Sequence, residues 1–254
     1  MKRVSVLGIG VDPLTVDELN AEVSRLARRE GCSIVLNANV HCLNLLQKDA
    51  ELRGFFECAD VVFCDGAGVM LGARLIGRRI PERITYADWV WTLANLAGTE
   101  GLSMFLLGAR PGVAEQAARR LKERHPEPKI AGVLDGYFDH RANSPENELV
   151  IQRINAASPD ILLLGLGMPL QERWLMANRE RLNVRVVLTG GAVFDYASGT
   201  LRRGPKLLTD NGFEWLARLV LEPGRLWRRY LVGNPLFILR VLRQRLLERR
   251  NSAD

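Results

Sequence analysis

Between residues 33 and 188, short continuous runs of β-branched and aliphatic residues alternate with longer stretches in which apolar positions return at helical spacing. A continuous apolar run suits a strand covered on both faces, and the longer stretches suit the helices that cover it. The pattern predicts strands at 4–9, 33–36, 61–64, 104–107, 129–133, 161–164 and 184–188. The runs give way to Gly, Asn, Asp or Thr, residues suited to turns. Segment 15–30 opens with Thr15 and Glu18 at capping-box spacing, with Leu14 placed as a hydrophobic staple. Segments 111–124 and 145–157 begin with Pro111 and Pro145, and proline fits a first helical turn because the amide it lacks would be unpaired there.

After Gly199 the chain becomes rich in arginine and tryptophan and is punctuated by Pro205, Pro223 and Pro235. In its last segment Ile238, Leu239, Leu242 and Leu246 fall on one helical face and Arg240 and Arg243 on another, the spacing of an interfacial amphipathic helix. The expected architecture is therefore α/β: a Rossmann-like, mainly parallel sheet with flanking helices over 1–200, then a helical basic appendage over 201–254. Residues 251–254 read as a frayed end.

Charge sharpens this division. Residues 1–200 hold 23 Lys+Arg against 24 Asp+Glu, whereas 201–254 hold 12 against 5, so the body is close to neutral and the whole excess of positive charge lies in the tail. Such asymmetry calls for an anionic partner: lipid headgroups, nucleic acid or a phosphorylated substrate. Cys32, Cys42, Cys58 and Cys64 form no CxxC pair and have no histidine at zinc-finger spacing, which fits a reducing cytosol. The longest uncharged run of the tail, 230–239, contains Asn234 and Pro235 and is far short of the ~20 apolar residues that cross a bilayer. The expectation is a protein that sits on a membrane without spanning it.

In an open parallel sheet ligands gather beyond the carboxyl ends of the strands, which directs attention to Asn37-Ala-Asn39, Asp65-Gly66, Gly108 to Gly112, Gly165 to Glu172 and Thr189-Gly190-Gly191. Asp65 follows a strand and precedes a helix, where its carboxylate either accepts a proton from an attacking hydroxyl or simply caps the helix. Asp88, Asp135, Asp139 and Asp195 compete on equal physical grounds. Gly167 and Gly191 suit phosphate contacts through backbone amides or close packing under a helix, and Gln171 and Glu172 lie just inside the next helix. Neither Gly8-Ile-Gly10 nor Gly165-Leu-Gly167 completes a dinucleotide fingerprint, which weakens the reading as a nicotinamide-dependent oxidoreductase. No Asp-x-Asp or histidine cluster marks a metal site, and no cofactor is expected. If the leaving group is a nucleoside diphosphate, cations must answer its charge, and Arg83, Arg203, Arg218, Arg225, Arg228 and Arg229 are available. Surface pairing of these arginines with Glu214 and Glu222 is the competing reading.

Taken in order, Asn39, Asp65-Gly66, Arg83 to Asp88, Gly108 with Pro111-Gly112, Gly136-Tyr137-Phe138, Gly165 to Pro169 with Gln171-Glu172, Gly191 with Phe194-Asp195, and the tail Glu214-Trp215, Arg218, Glu222-Pro223, Arg225 and Arg228-Arg229-Tyr230 resemble the WecG/TagA/CpsF family of bacterial glycosyltransferases. The resemblance spans about residues 9–245. It implies metal-independent, inverting transfer from a UDP-sugar to a polyprenyl-diphosphate-linked saccharide in cell-surface polysaccharide synthesis. It implies Asp65 as the base, a pocket lined by Asn39, Gln171 and Arg83, and Arg218, Arg225 and Arg228 steadying the diphosphate. Docking of the appendage on the cytoplasmic face of the inner membrane is also implied, in agreement with the charge of the tail. Asn37 stands where threonine is frequent in the family, Tyr86 where glycine is usual, Leu170 where lysine is common and Gly204 where alanine precedes the proline.

Asn37 retains the capacity to hydrogen-bond a sugar. These departures bear on the identity of the sugar; a plain hexose such as glucose is favoured, with N-acetylmannosamine or a uronic acid as the alternatives. A nucleic-acid-binding α/β protein is the reading from a different class, and it leaves Asp65, Arg83 and Gln171 without a role; with the transferase reading no nucleic-acid partner is expected. An apolar, basic tail also leaves room for a homo-oligomer.

Overall fold

The computed structural model describes residues 2–125, 127–210 and 212–251. The described residues form eight strands: β1 (Val4–Val6), β2 (Ile9–Val11), β3 (Ser33–Ala38), β4 (Val61–Cys64), β5 (Ser103–Gly108), β6 (Lys129–Leu134), β7 (Ile161–Gly165) and β8 (Val186–Thr189). Six of them form one sheet in the order β4-β3-β8-β7-β5-β6, and the registers of β3 with β8, β8 with β7, β7 with β5 and β5 with β6 are parallel. Every residue of β3, β4, β5, β7 and β8 is buried, as continuous apolar runs require, whereas the edge strand β6 is half-exposed from end to end apart from its exposed Lys129. The α/β, Rossmann-like expectation is met.

The expected first strand at 4–9 is instead an antiparallel hairpin. Val4 pairs with Val11 and Val6 with Ile9, and the chain reverses at Leu7 and Gly8, both at positive φ. Paired positive φ values match the right-handed twist of a hairpin, and glycine makes the turn inexpensive; the apolar run concealed it. Asp12 then anchors the hairpin: its Oδ2 accepts from Val62 N–H at 2.8 Å and its Oδ1 from Arg3 Nε at 3.1 Å.

Helix 145–157 forms as expected, as Pro145–Ala157 with proline in its first turn and Ser144 accepting from Asn147 N–H. The segment at 15–30 gives the shorter helix Val16–Ala27, and that at 111–124 starts at Val113, with Gly112 left-handed before it.

Contacts group the chain into two compact units: residues 1–15, 37–85 and 203–254 in one, and 16–36 with 86–202 in the other. The change at Arg202/Arg203 lies close to the expected boundary at 200/201, but the tail shares its unit with two earlier segments. Of the expected frayed end at 251–254, residues 252–254 lie outside the described residues.

The tail consists of helices Lys206–Asp210, Glu214–Leu221 and Pro223–Trp227, a π-helical turn Arg228–Val232 and the long helix Gly233–Asn251. The long helix carries two apolar stripes. Phe237 and Val241 are buried, and the Phe237 ring lies so close to Gly72 of helix Ala67–Leu75 that a Cβ there would stand 2.6 Å from it. Hydrogen bonds fix the register: Arg240 donates to Asn44 Oδ1 at 2.7 Å, Asn44 Nδ2 to Gly233 O at 2.8 Å and Leu7 N–H to Gln244 Oε1 at 2.7 Å. Of the stripe recognised from sequence, Leu239, Leu242 and Leu246 are exposed, at 66%, 40% and 63%, and Ile238 is half-buried.

Phe237→Ala removes the aromatic wedge against Gly72 and is expected to cost about 3–5 kcal/mol of stability. Chemical denaturation monitored together with limited proteolysis of the tail checks this, and a fully protected tail would contradict it.

Candidate active site

Two groups of polar side chains lie at the carboxyl ends of strands, one in each unit. In the first, β3 ends at Ala38 and β4 at Cys64, and Asp65 N–H donates to Ala38 O at 2.8 Å. Adjacent strand ends thereby bring Asn37, Asn39 and Asp65 together. Asn37 donates from Nδ2 to Asp65 Oδ2 at 2.7 Å, and Asn39 Nδ2 lies 3.5 Å from the same oxygen. Asn39 is also the N-cap of helix Val40–Leu46, its Oδ1 accepting from Cys42 N–H at 3.0 Å. Using its oxygen on the helix leaves its amino group for the carboxylate, so the cap sets the amide orientation. No hydrogen bond among the described residues reaches Asp65 Oδ1 in the arrangement seen.

Asp65 keeps partial access to solvent although protein surrounds it closely. Burial pushes its carboxyl above the ordinary carboxylate range. Hydrogen bonds from Asn37 and Asn39, then the charges of Arg229 and Arg218, pull it back. The half-buried His41 is pushed down to about 4 by burial, with the Arg229 charge adding to the effect, so its imidazole is neutral near pH 7.

The arginines of this unit divide sharply. Arg83 Nη1 donates to Thr209 O at 2.9 Å and lies 3.6 Å from the Glu214 carboxylate, so it holds the start of the tail. Helix Glu214–Leu221 stops before Glu222, and Pro223 starts the next helix, so Arg218 and Arg225 do not share one continuous helix. Glu222 gathers them nonetheless, 3.7 Å from Arg218 and accepting from Arg225 at 2.9 Å. Arg228 is exposed, its guanidinium 5.2 Å from the Trp227 ring centre. Arg229 turns inward: its Nε is enclosed without a hydrogen-bond partner among the described residues, and its field reaches both Asp65 and His41. The sequence names Arg229 among the available cations but does not set it apart. Its distinguishing signal is the π-helical turn, which follows from tail packing and has no sequence signature.

The second group follows β7 and β8. Gly167 and Gly191 both have positive φ, and one atom ties their turns together: Gln171 Oε1 accepts from Gly167 N–H at 3.2 Å and Gly191 N–H at 3.0 Å. Gln171 Nε2 donates to Glu172 Oε1 at 2.8 Å. Both side chains are buried, Gln171 at 1% exposure and Glu172 at 0%, so Gln171 braces two turns with its side chain and faces neither an open crevice nor solvent. Burial pushes the Glu172 carboxyl up to about 7, and its Oε2 has no partner among the described residues. Gly165, by contrast, serves packing, since a Cβ there would meet the Phe194 ring at 2.6 Å.

The same unit holds a recess of about 470 Å³ lined by Gly136, Tyr137, Phe138, His140, Glu146, Leu166 and Leu170. Phe138 stacks tilted on His140, with ring centres 4.2 Å apart, and Tyr137 is 69% exposed. Asp139, one of the rival carboxylates, is bound by Arg141 and held down to about 2, which suits a surface ion pair and not a base. Among the described residues no three His, Cys, Asp or Glu side chains are grouped as metal ligands would be.

The model of the glycosyl transferase WecG/TagA/CpsF family matches residues 4–251. The chain is 32% identical over 197 residues, 78% of its length and 74% of the relative's, to the N-acetylglucosaminyldiphosphoundecaprenol N-acetyl-beta-D-mannosaminyltransferase of Bacillus subtilis (strain 168). It is 29% identical over 242 residues to the protein of that name from Bacillus spizizenii, with coverage of 95% and 91%. With the one from Staphylococcus aureus (strain MRSA252) the identity is 24% over 241 residues, with coverage of 94% and 92%. A match that runs from the hairpin to the end of the tail helix, through both groups of strand-end residues, makes this chain a glycosyltransferase of the WecG/TagA/CpsF family.

Proposed function

We propose that the enzyme transfers an N-acetylmannosaminyl group from its UDP donor to a polyprenyl-diphosphate-linked N-acetylglucosamine, with inversion at the anomeric carbon. The observation that carries the mechanism is the arrangement at Asp65, with both amides on Oδ2 and no hydrogen bond on Oδ1 among the described residues. An acceptor hydroxyl hydrogen-bonded to Oδ1 gives up its proton there as its oxygen attacks the anomeric carbon from the face opposite UDP. The glycosidic bond forms, the bond to the β-phosphate breaks, and UDP leaves with the bonding electrons. Arg218, Arg225 and Arg228 are assigned to the diphosphate, where guanidinium groups answer the developing charge without a metal ion. In this arrangement Arg218 and Arg225 exchange Glu222 for phosphate oxygens.

The named relatives support N-acetylmannosamine over the plain hexose expected from the sequence, because all three carry that sugar in their names. Asn37, expected as a sugar contact, donates from Nδ2 to Asp65. Arg83 is assigned to holding the tail rather than to the pocket. The recess at Tyr137 and Phe138 has the size and the aromatic walls to receive a pyrimidine base. No helix among the described residues is long and apolar enough to cross a membrane, and the exposed leucines and arginines of the tail support peripheral docking on the cytoplasmic face, where the acceptor resides.

A panel of UDP-sugars offered with prenyl-diphosphate-linked N-acetylglucosamine tests the reading directly. UDP-N-acetylmannosamine is expected to turn over fastest, and Asp65→Asn to lower that rate by about 10²–10⁴-fold while UDP affinity and thermal stability persist. Normal turnover by Asp65→Asn would remove Asp65 from the role of base.

The pH dependence follows from the burial of Asp65. The base works ionised, so kcat/KM should fall as pH drops through an apparent pKa above the ordinary value of about 4. Asn37→Ala removes the bond that favours the carboxylate and should move this limb to higher pH, as initial rates across pH will record. For the membrane, replacing Leu239, Leu242 and Leu246 with serine should abolish sedimentation with anionic vesicles, and binding by the unaltered chain should weaken with salt.

A further inference from the structure

The pair Gln171–Glu172 presents a problem of hydrogen-bond polarity. Gln171 meets two donors, Gly167 N–H and Gly191 N–H, through a single atom, and this requires its oxygen on that side. An amide rotated by half a turn would present its own N–H groups to those two donors. Nothing in glutamine itself selects between the two orientations. The two glycine donors favour one of them, and the neighbour enforces it: Glu172 Oε1 stands 2.8 Å from Gln171 Nε2 and accepts from it. Glu172 is fully buried, and an apolar residue would be far less costly at that position if nothing depended on its oxygen.

We infer that Glu172 is a positioning residue for the donor site: by accepting from Gln171 it fixes the amide so that one oxygen closes the turns after β7 and β8 on each other. Glu172 touches no substrate, since its side chain is sealed from solvent. It acts through Gln171 on the backbone of Gly167 and Gly191, whose N–H groups find their acceptor in that one oxygen. The inference rests on the reading above in taking a UDP-sugar as donor, and adds that these turns contact it by their surface, since both glycine N–H groups are spent on Gln171. It also explains why a carboxylate follows a carboxamide here: the first residue must offer both an oxygen and N–H groups, and the second needs only an acceptor.

The order of the two groups is therefore reversible in principle, and this provides the test. Glu172→Met leaves Gln171 Nε2 without its acceptor, and Gln171→Glu sets two carboxylates against each other. Each is expected to raise KM for the UDP-sugar and Kd for UDP by about tenfold or more, with kcat changed less, as follows when a buried polar group loses its partner. Backbone amide exchange at Gly167 and Gly191, followed by NMR, should quicken in both variants. The exchanged pair, Gln171→Glu together with Glu172→Gln, restores one donor facing one acceptor. The carboxylate then at position 171 accepts from both glycine amides through one oxygen and from the amide at position 172 through the other. The exchanged pair should recover slow exchange and bring KM to within about threefold of the unaltered enzyme.

Wild-type KM and amide protection in Glu172→Met would overturn the inference, as would an exchanged pair impaired as severely as the worse single variant. If Glu172→Met does not fold, the exchanged pair decides alone. If the unaltered enzyme turns over no UDP-sugar, the functional reading fails, while amide exchange at the two glycines still decides the part played by Glu172.

Discussion

Withdrawing a carboxylate from water costs several kcal/mol unless donors replace its hydration, and the first strand-end group is arranged around that cost at Asp65. Two asparagine amides converge on one oxygen, and two arginines supply positive potential without closing an ion pair on the carboxylate. A direct bidentate arginine would have stabilised the anion more and left it a poorer proton acceptor. Neutral amides on one oxygen hold the group in place while burial keeps its proton affinity high. Asn37 belongs to this balance, because a hydroxyl at that position would donate one weaker hydrogen bond with less reach.

Much of the fold is legible in the sequence because buried parallel strands leave an unambiguous record. Five of the six sheet strands are apolar along nearly their whole length, and Pro145 and Ser144 mark a helix start that the chain obeys. The hairpin at the N-terminus is not legible, since Val4 to Ile9 reads as one apolar run and only the backbone angles of Leu7 and Gly8 reveal the reversal. The long tail helix is announced by its exposed stripe alone. Phe237 and Val241 are too few to mark a docking face, and their partner Gly72 is recognisable only by the close approach it permits.

The site is legible as a set of residues and less so as a set of roles. Asp65, Asn39 and Gln171 occupy strand ends, where sequence position alone points to them. Their tasks depend on which atoms meet: Gln171 and Arg83, both expected to line a pocket, are seen to brace two turns and to bond the start of the tail. Arg218 and Arg225 do pair with Glu222, as the surface-pairing reading held, yet Arg218 also contributes to the field at Asp65. One side chain can thus satisfy both readings, because a long-range field and a short contact are not exclusive.

The unit that contains Asp65 is assembled from residues 1–15, 37–85 and 203–254. A ribosome therefore makes both segments of the other unit before it reaches the last of these three pieces. Until then Gly72 lacks Phe237 and Asp65 lacks its arginines. The contacts that complete the carboxylate's surroundings join residues far apart in sequence, the kind that form late in folding. A nascent chain that has not yet reached residue 229 consequently leaves Asp65 without the full pair of charges that pulls its proton affinity down.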